Sequence, residues 1–449
     1  MLRVTSLLTR VGIRDQTKME SLVSHLRSKG YSAAIRSMFT GMFTSSGMAE
    51  PDEQLVIKLI TQGPEYRFLR RPRLSDVLGD IFITDDVVLV LTPAKDSLQA
   101  SAIGYQKQKE HLQNFCADVE DGIQMKFGGR KVKRMNFDWK ALSSRVSEYQ
   151  RGGYLLFGDF SDQEPVREVT EHNVRQPSYD SEDIKVANLL VDGNVRKFVF
   201  RLAQVGKMIA KDAVDLAKKP RIFKRLLSLD LMRKEYLLTC KKDQHTICVV
   251  PSKEELTKKS MISFRCSCGR ALPEENLQLI YSLTKRGKKL IDGSLWMSIW
   301  ITELLKQNEI EEGGIKGRFE TGGEEIDIVV EDFGSRLFLE LKDREFGLGD
   351  AYPFMYRLTR YGGRYGIVVT MDKVAPDAKS FFEEETRRRE HPIRIQYLEG
   401  SQNIPNGLTR ILQEVALSQV RRVIRPFSER TGFDLWPVVE YWINTRTKK

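Results

Sequence analysis

The chain has 449 residues, of which 41% are hydrophobic and 30% charged, and its formal net charge is +11. Such a balance can bury real cores, yet no run reaches the roughly 18–20 uncharged apolar residues needed to span a bilayer, and five cysteines are too few to staple a chain this long. Membrane-spanning, collagen-like and disulfide-scaffold classes are thereby excluded, and the length favours about three domains.

Residues 1–15 carry Arg10 and lack a sustained apolar run ending in a small-residue cleavage site, so a cytoplasmic protein is expected. Residues 18–26 have helical spacing, and the Ser/Gly/Met-rich stretch 37–47 reads as a loop. Strands are predicted at 54–61, 79–84 and 87–92, the last reached through a turn at Asp85-Asp86 and ended by Pro93. A helix over 98–115 and a strand at 154–158 would complete a β-rich N-terminal module, residues 1–165, with a small β-barrel as the expected form. The polar stretch 160–182, with two prolines, marks a boundary.

Residues 183–290 form a second, basic segment. Val186, Leu189, Leu190, Val195, Phe198, Phe200, Leu202 and Val205 supply apolar positions of a helical pattern that extends to about residue 236. An amphipathic helix is predicted over 222–235, and a further helix over 280–290. Residues 211–290 hold 19 Lys/Arg against 9 Asp/Glu, a net of +10. Lys and Arg release condensed counterions from phosphates, so Lys224, Arg225, Lys285, Arg286, Lys288 and Lys289 are candidate nucleic-acid contacts.

Four of the five cysteines lie in this segment: Cys240, Cys248, and Cys266-Ser-Cys268-Gly269. A β-like stretch, residues 246–251, separates the two groups. Two cysteine turns around a hairpin are the arrangement of a zinc ribbon, and the segment resembles modules of the form LxC–xx–C followed by FxC–x–CG. It departs from them at the first turn, where Asp243 stands at the usual second cysteine. The fourth ligand could be Cys248, His245 or Asp243, and thiolate softness favours Cys248. A Zn²⁺ held by four protein ligands would be structural, because no coordination position stays open. Cys116 stands apart as a core residue.

Residues 309–350 invert the charge, with 5 Lys/Arg against 13 Asp/Glu, a net of −8. Within them lie Glu-Ile-Asp327-Ile-Val-Val and Leu337-Phe-Leu-Glu340-Leu341-Lys342, two apolar strands joined by a turn at 332–335. Glu340 and Lys342 share parity and so one sheet face. Carboxylate oxygens are hard ligands suited to Mg²⁺ or Mn²⁺, and the carbonyl of Leu341 can add another. Lys342 can orient a water or stabilise charge developing on phosphate. Glu340 lies among Phe338, Leu339 and Leu341, where an unpaired carboxylate would cost several kcal/mol.

This stretch resembles the PD-(D/E)XK, restriction-endonuclease-like, nuclease superfamily: Asp327 matches the family's Asp, and Glu340-Leu341-Lys342 its E-x-K. The resemblance covers about residues 288–400 and implies an α/β domain, residues 291–449, with a helix at 295–306 before the hairpin. A helix at 350–361, a strand at 365–370, a helix at 376–389 and a strand at 393–398 would follow. It further implies catalysis by Asp327, Glu340 and Lys342, with metal on Asp327, Glu340 and the Leu341 carbonyl. Many members add a metal-binding Glu from the first helix, which points to Glu303.

The leading expectation is therefore a Mg²⁺-dependent nuclease acting on DNA, with the basic segment holding the polyanion. A nucleic-acid-binding scaffold that keeps the fold without activity, or an RNA nuclease, are the alternatives. The architecture resembles bacterial restriction and antiphage effectors, which implies a partner subunit or a homo-oligomer. No P-loop is present, so ATP-driven translocation would need a partner chain.

Overall fold

In a computed structural model, the described residues are 2–9, 16–35, 79–94, 97–105, 108–127, 178–212, 220–321, 324–332, 335–361, 363–388, 393–431 and 435–446. The expected strands at 54–61 and 154–158 and the loop at 37–47 lie outside them. The chain divides into two compact units: Met1–Glu168 with Glu331–Arg336 and Thr409–Lys449, and Val169–Val330 with Leu337–Leu408.

The first unit holds β1 (Arg3–Thr9), α1 (Gln16–Ser28), β2 (Asp80–Ile83), β3 (Val87–Ala94), β4 (Ser97–Gly104) and α2 (Gln108–Phe127). Its antiparallel sheet runs β1-β4-β3-β2, so the described strands form an open sheet rather than a barrel. The expected helix over 98–115 is two elements. Leu98, Ala100 and Ala102 alternate into the core at period two, so the stretch starts as β4, and the helix begins only at Gln108. Pro93 stays inside β3 because β2 pairs only as far as Leu91, which leaves no ladder partner waiting for a proline N–H. Met19, Leu22, Val23 and Leu26 of α1 and Leu112, Phe115, Val119 and Ile123 of α2 cover the sheet. Cys116 is part of that core, and burial pushes its thiol up.

The second unit begins with α3 (Ser181–Leu190), α4 (Gly193–Val205), β5 (Lys207–Ile209), α5 (Pro220–Ser228) and β6 (Met232–Thr239). β7 (Thr246–Val250), the one-turn α6 (Lys259–Ile262), β8 (Asn276–Leu283) and α7 (Lys285–Ile291) follow. The antiparallel sheet runs β5-β8-β6-β7. The helix expected over 222–235 stops at Ser228: Asp230 takes the left-handed φ of 51°, which Asp tolerates better than most residues, and β6 starts two residues later. The helix expected over 280–290 likewise splits. Residues 280–283 belong to β8, and the Thr284 hydroxyl accepts the Gly287 N–H at 3.0 Å to cap α7. Gly287 is required there, since a Cβ would meet the Leu231 carbonyl oxygen at 2.2 Å.

Next come α8 (Leu295–Gln307), β9 (Ile315–Thr321), β10 (Glu324–Asp332), β11 (Ser335–Lys342), α9 (Leu348–Arg360), β12 (Tyr365–Thr370), α10 (Pro376–Arg387) and β13 (Arg394–Glu399), all of the second unit except Glu331–Arg336. Its sheet runs β13-β12-β11-β10-β9 and is mixed: β9 and β10 are antiparallel, while β11, β12 and β13 are parallel. β11 and β12 carry near-continuous buried apolar residues, as parallel strands covered on both faces do. Phe354 and Leu358 of α9 reach the sheet at Gly366, where an added Cβ would lie 2.8 Å from Leu358 and Ile395. The remaining helices are α11 (Ile404–Thr431) and α12 (Trp436–Arg446). The protein is thus mixed α/β, with its β-rich sheet at the N-terminus. Among the described residues no helix is long and apolar enough to cross a membrane.

Candidate metal centres and nucleic-acid surface

β11 lies between β10 and β12, which places Glu340 inside the sheet's cover, at 4% exposure. A carboxylate so placed needs partners, and it has two. Lys342, two residues along the same face, donates to Oε1 at 2.8 Å, and Arg357 of α9 donates to Oε2 at 2.7 Å. From β10, Asp327 accepts the Leu341 backbone N–H at 2.7 Å. Asp327, Glu340, Leu341 and Lys342 are therefore brought together around one residue of backbone. Burial would lower the Lys342 pKa, but the Glu340 and Asp327 carboxylates outweigh it and hold the ammonium above its ordinary value. The end of β11 is tied to the start of α8 by the Ser294 hydroxyl, which donates to Asp343 at 2.7 Å.

Glu303 is placed differently from the expectation. It accepts the Tyr179 hydroxyl at 2.9 Å and faces Lys306 at 3.4 Å. Among the described residues, Glu303, Asp327 and Glu340 do not form a group with oxygens all within 4.8 Å of one another. The residue that joins the site instead is Arg357. Nothing in the spacing of α9 singles it out, but the demand of a buried Glu340 for a second cation is the signal that points there. The donor set of Asp327, Glu340 and the Leu341 carbonyl suits a hard cation such as Mg²⁺ or Mn²⁺. An ion would share the Glu340 carboxylate with Lys342 and Arg357, since each oxygen accepts one cationic donor and keeps a further lone pair.

The cysteines form a second centre. Ligand atoms of Cys240, Cys266, Cys268 and Glu275 lie within 4.8 Å of one another, as do those of Cys240, Asp243 and His245. Cys248 does not join either group: it stands on β7 opposite Leu238 of β6, where burial raises its thiol. The first turn is closed by Cys240 N–H to the His245 carbonyl at 2.9 Å and Gln244 N–H to the Cys240 carbonyl at 3.0 Å. The second is closed by Cys266 N–H to the Arg270 carbonyl and Gly269 N–H to the Cys266 carbonyl, both at 2.8 Å. Gln244 and Gly269 take positive φ, 59° and 90°, to complete these turns. The Cys268 backbone N–H holds the Cys266 thiol below its ordinary value. The Arg270 backbone N–H pulls Cys268 down, but the Glu275 carboxylate and burial prevail and push it up to about 12.

The basic residues divide into two kinds. Lys224, Arg225, Lys285, Lys288 and Lys289 are exposed. Arg286 is instead tied to α3 by ion pairs with Asp180 and, at 2.7 Å, with Asp183. Lys288 lines a cavity of about 340 Å³ with Lys207 and Arg233, while Glu235 on the same wall pairs with Arg233 at 3.1 Å.

No family model matches this chain, and no curated protein matches it. Among solved structures the chain is similar to protein VC1899 from Vibrio cholerae, at 11% identity and a TM-score of 0.30, over 64% of this chain and 65% of that one. It thus spans a little under two thirds of that protein's length. It is similar also to a chain of the EndoMS-dsDNA2 complex, at 14% identity and a TM-score of 0.18, over 43% of this chain and 96% of that one. Neither likeness is near enough to bear on fold or activity.

Proposed function

We propose that the chain is a divalent-metal-dependent nuclease that cleaves phosphodiester bonds, DNA by preference, with a restriction-endonuclease-like domain over residues 291–449. One observation carries the reading: the Asp327 carboxylate and the Glu340–Lys342 pair meet around Leu341 on two adjacent strands of the mixed sheet. A bound Mg²⁺ or Mn²⁺ would supply Lewis-acid polarisation of the phosphate and a more acidic water. Asp327 and Glu340 would hold it through carboxylate oxygens, with the Leu341 carbonyl beside them. Lys342 stays protonated between its two carboxylates and so serves as a fixed positive charge for the phosphate oxygens. The exposed lysines of α7 and the Lys224-Arg225 pair of α5 would hold the polyanion. The N-terminal unit is left to sense or bind a partner, whether a second subunit or another copy of the chain.

A second reading, a nucleic-acid-binding protein without catalysis, is favoured by one feature: Lys342 and Arg357 together neutralise Asp327 and Glu340, so the centre is charge-balanced without an ion. Incubation of the purified chain with plasmid, linear duplex, single-stranded DNA and RNA, each with and without Mg²⁺ or Mn²⁺, separates the two. Ion-dependent cleavage lost in Lys342→Ala supports the nuclease. Binding with no cleavage of any substrate supports the second reading.

A further inference from the structure

We infer that Cys240, Cys266, Cys268 and Glu275 form a structural zinc site, with Glu275 rather than Cys248 as its fourth ligand. Glu275 is the carboxylate whose oxygen lies within 4.8 Å of all three sulfurs, and it is buried at 6% exposure. Glutamate is almost never buried so far without a partner of opposite charge. Its direct contacts are a thiol and a backbone N–H, with the Arg270 charge acting from farther off: Cys268 Sγ lies 3.1 Å from Oε1. Three thiols and a carboxylate converging on one point are otherwise a cluster of acids, and a divalent cation explains why they converge. The other oxygen of Glu275 accepts the Lys241 backbone N–H at 2.7 Å, which fixes the carboxylate as an outer-shell hydrogen bond fixes a ligand. Asp243 N–H points at Cys240 Sγ at 3.4 Å, so that sulfur too is positioned by its own turn.

His245 is the competing fourth ligand. Its Nε2 lies 3.7 Å from Cys266 Sγ, but the residue is exposed and belongs to the group with Cys240 and Asp243, not to the four-residue group. Charge supports the carboxylate as well. Three thiolates and Glu275 around a divalent ion leave two negative charges, and Lys241, Lys242, Arg265 and Arg270 lie in the adjoining turns to balance them.

The fold needs such a staple. Between the end of β6 and the start of β8 the chain contains only β7, short 3₁₀ turns and the one-turn α6. The buried apolar residues there are few, chiefly Val250, Leu256 and Leu272 against Leu238. A lobe this small rarely holds itself together without a disulfide or a metal. Cys240, Cys266 and Cys268 are not paired in disulfides but converge with Glu275 as a metal-ligand set. Binding releases the three thiol protons, and the binding energy becomes folding energy.

The test uses full-length protein purified without chelator. Elemental analysis and thermal unfolding are run on the wild type and on Glu275→Ala, Glu275→Cys, Cys266→Ser, Cys248→Ser and His245→Ala. The expected result is about one zinc per chain in the wild type, Cys248→Ser and His245→Ala, as a closed structural site requires. Cys266→Ser and Glu275→Ala should lose the metal and melt lower, while Glu275→Cys, which restores a fourth ligand, should keep it. Co²⁺ in place of Zn²⁺ should give a tetrahedral spectrum with thiolate charge transfer. A wild type without metal overturns the site. Zinc lost in Cys248→Ser or His245→Ala but kept in Glu275→Ala overturns the choice of Glu275.

Discussion

Glu340 is 4% exposed, and both its oxygens accept cationic donors, from Lys342 and Arg357. Removing one donor from a buried carboxylate leaves a desolvated acceptor and costs about 1–3 kcal/mol. Arg357→Ala should therefore lower stability by about that much in chemical denaturation. Mg²⁺ should restore part of the loss if the vacated oxygen takes the ion; an unchanged midpoint with and without Mg²⁺ would count against a metal centre at Glu340. The pair Asp327 and Glu340 was legible in the sequence because acidic residues interrupt otherwise apolar strands, and strand parity fixes which ones share a face. Arg357 was not, since its partner comes from a different element and only the packing of α9 on the sheet brings them together. Glu275 was hidden for the same reason: it lies seven residues beyond Cys268 in a polar stretch, and loop closure rather than spacing returns it to the cysteines.

At the scale of the element, a close approach and a helix cap set where α9 and α7 lie. Gly366 lets α9 settle on the sheet, and an added methyl would meet Leu358 and Ile395 at 2.8 Å. Overpacking of a tight core typically costs about 1–3 kcal/mol, so Gly366→Ala should lower the unfolding free energy by that amount. It should also weaken cleavage, because α9 carries Arg357 to Glu340. The Thr284 cap is a second point: Thr284→Ala should cost about 0.5–2 kcal/mol, read as a lower melting temperature, by freeing the start of α7. The strands β6 and β8 were hard to foresee because their sequences, residues 232–239 and 276–283, run on into apolar and basic residues that also fit a helical period. What decides is local: the left-handed Asp230 before β6 and the Thr284 cap after β8 break each stretch in two. The strands β10 to β13 were plain because their apolar runs have strand length and are separated by acidic or glycine turns, whereas β9, α11 and α12 had not been foreseen.

For the whole molecule the net charge is +11, with +10 concentrated in residues 211–290 and −8 in residues 309–350, and binding should be read against salt. Charge reversal at Lys285, Lys288 and Lys289 should flatten the dependence of log affinity on log salt, by about 0.9 for each duplex phosphate no longer neutralised. Arg286 should behave otherwise: Arg286→Ala breaks its ion pairs with Asp180 and Asp183, so stability should fall while the salt slope changes little. An equal slope change for Arg286→Ala and the triple lysine variant would show that the ion pairs do not set its role. Asp327 and Glu340 are proposed to bind one ion for cleavage. The most direct test is Mg²⁺-dependent cleavage of duplex DNA by the wild type, Asp327→Ala and Glu340→Ala, with nucleic-acid binding measured on the same preparations. Cleavage by the wild type alone is expected, abolished by chelation, with binding kept or strengthened in both variants because lost negative charge removes repulsion from phosphates. Cleavage that persists in either variant, or a wild type that binds nucleic acid but never cuts it with any divalent ion, would contradict this proposal.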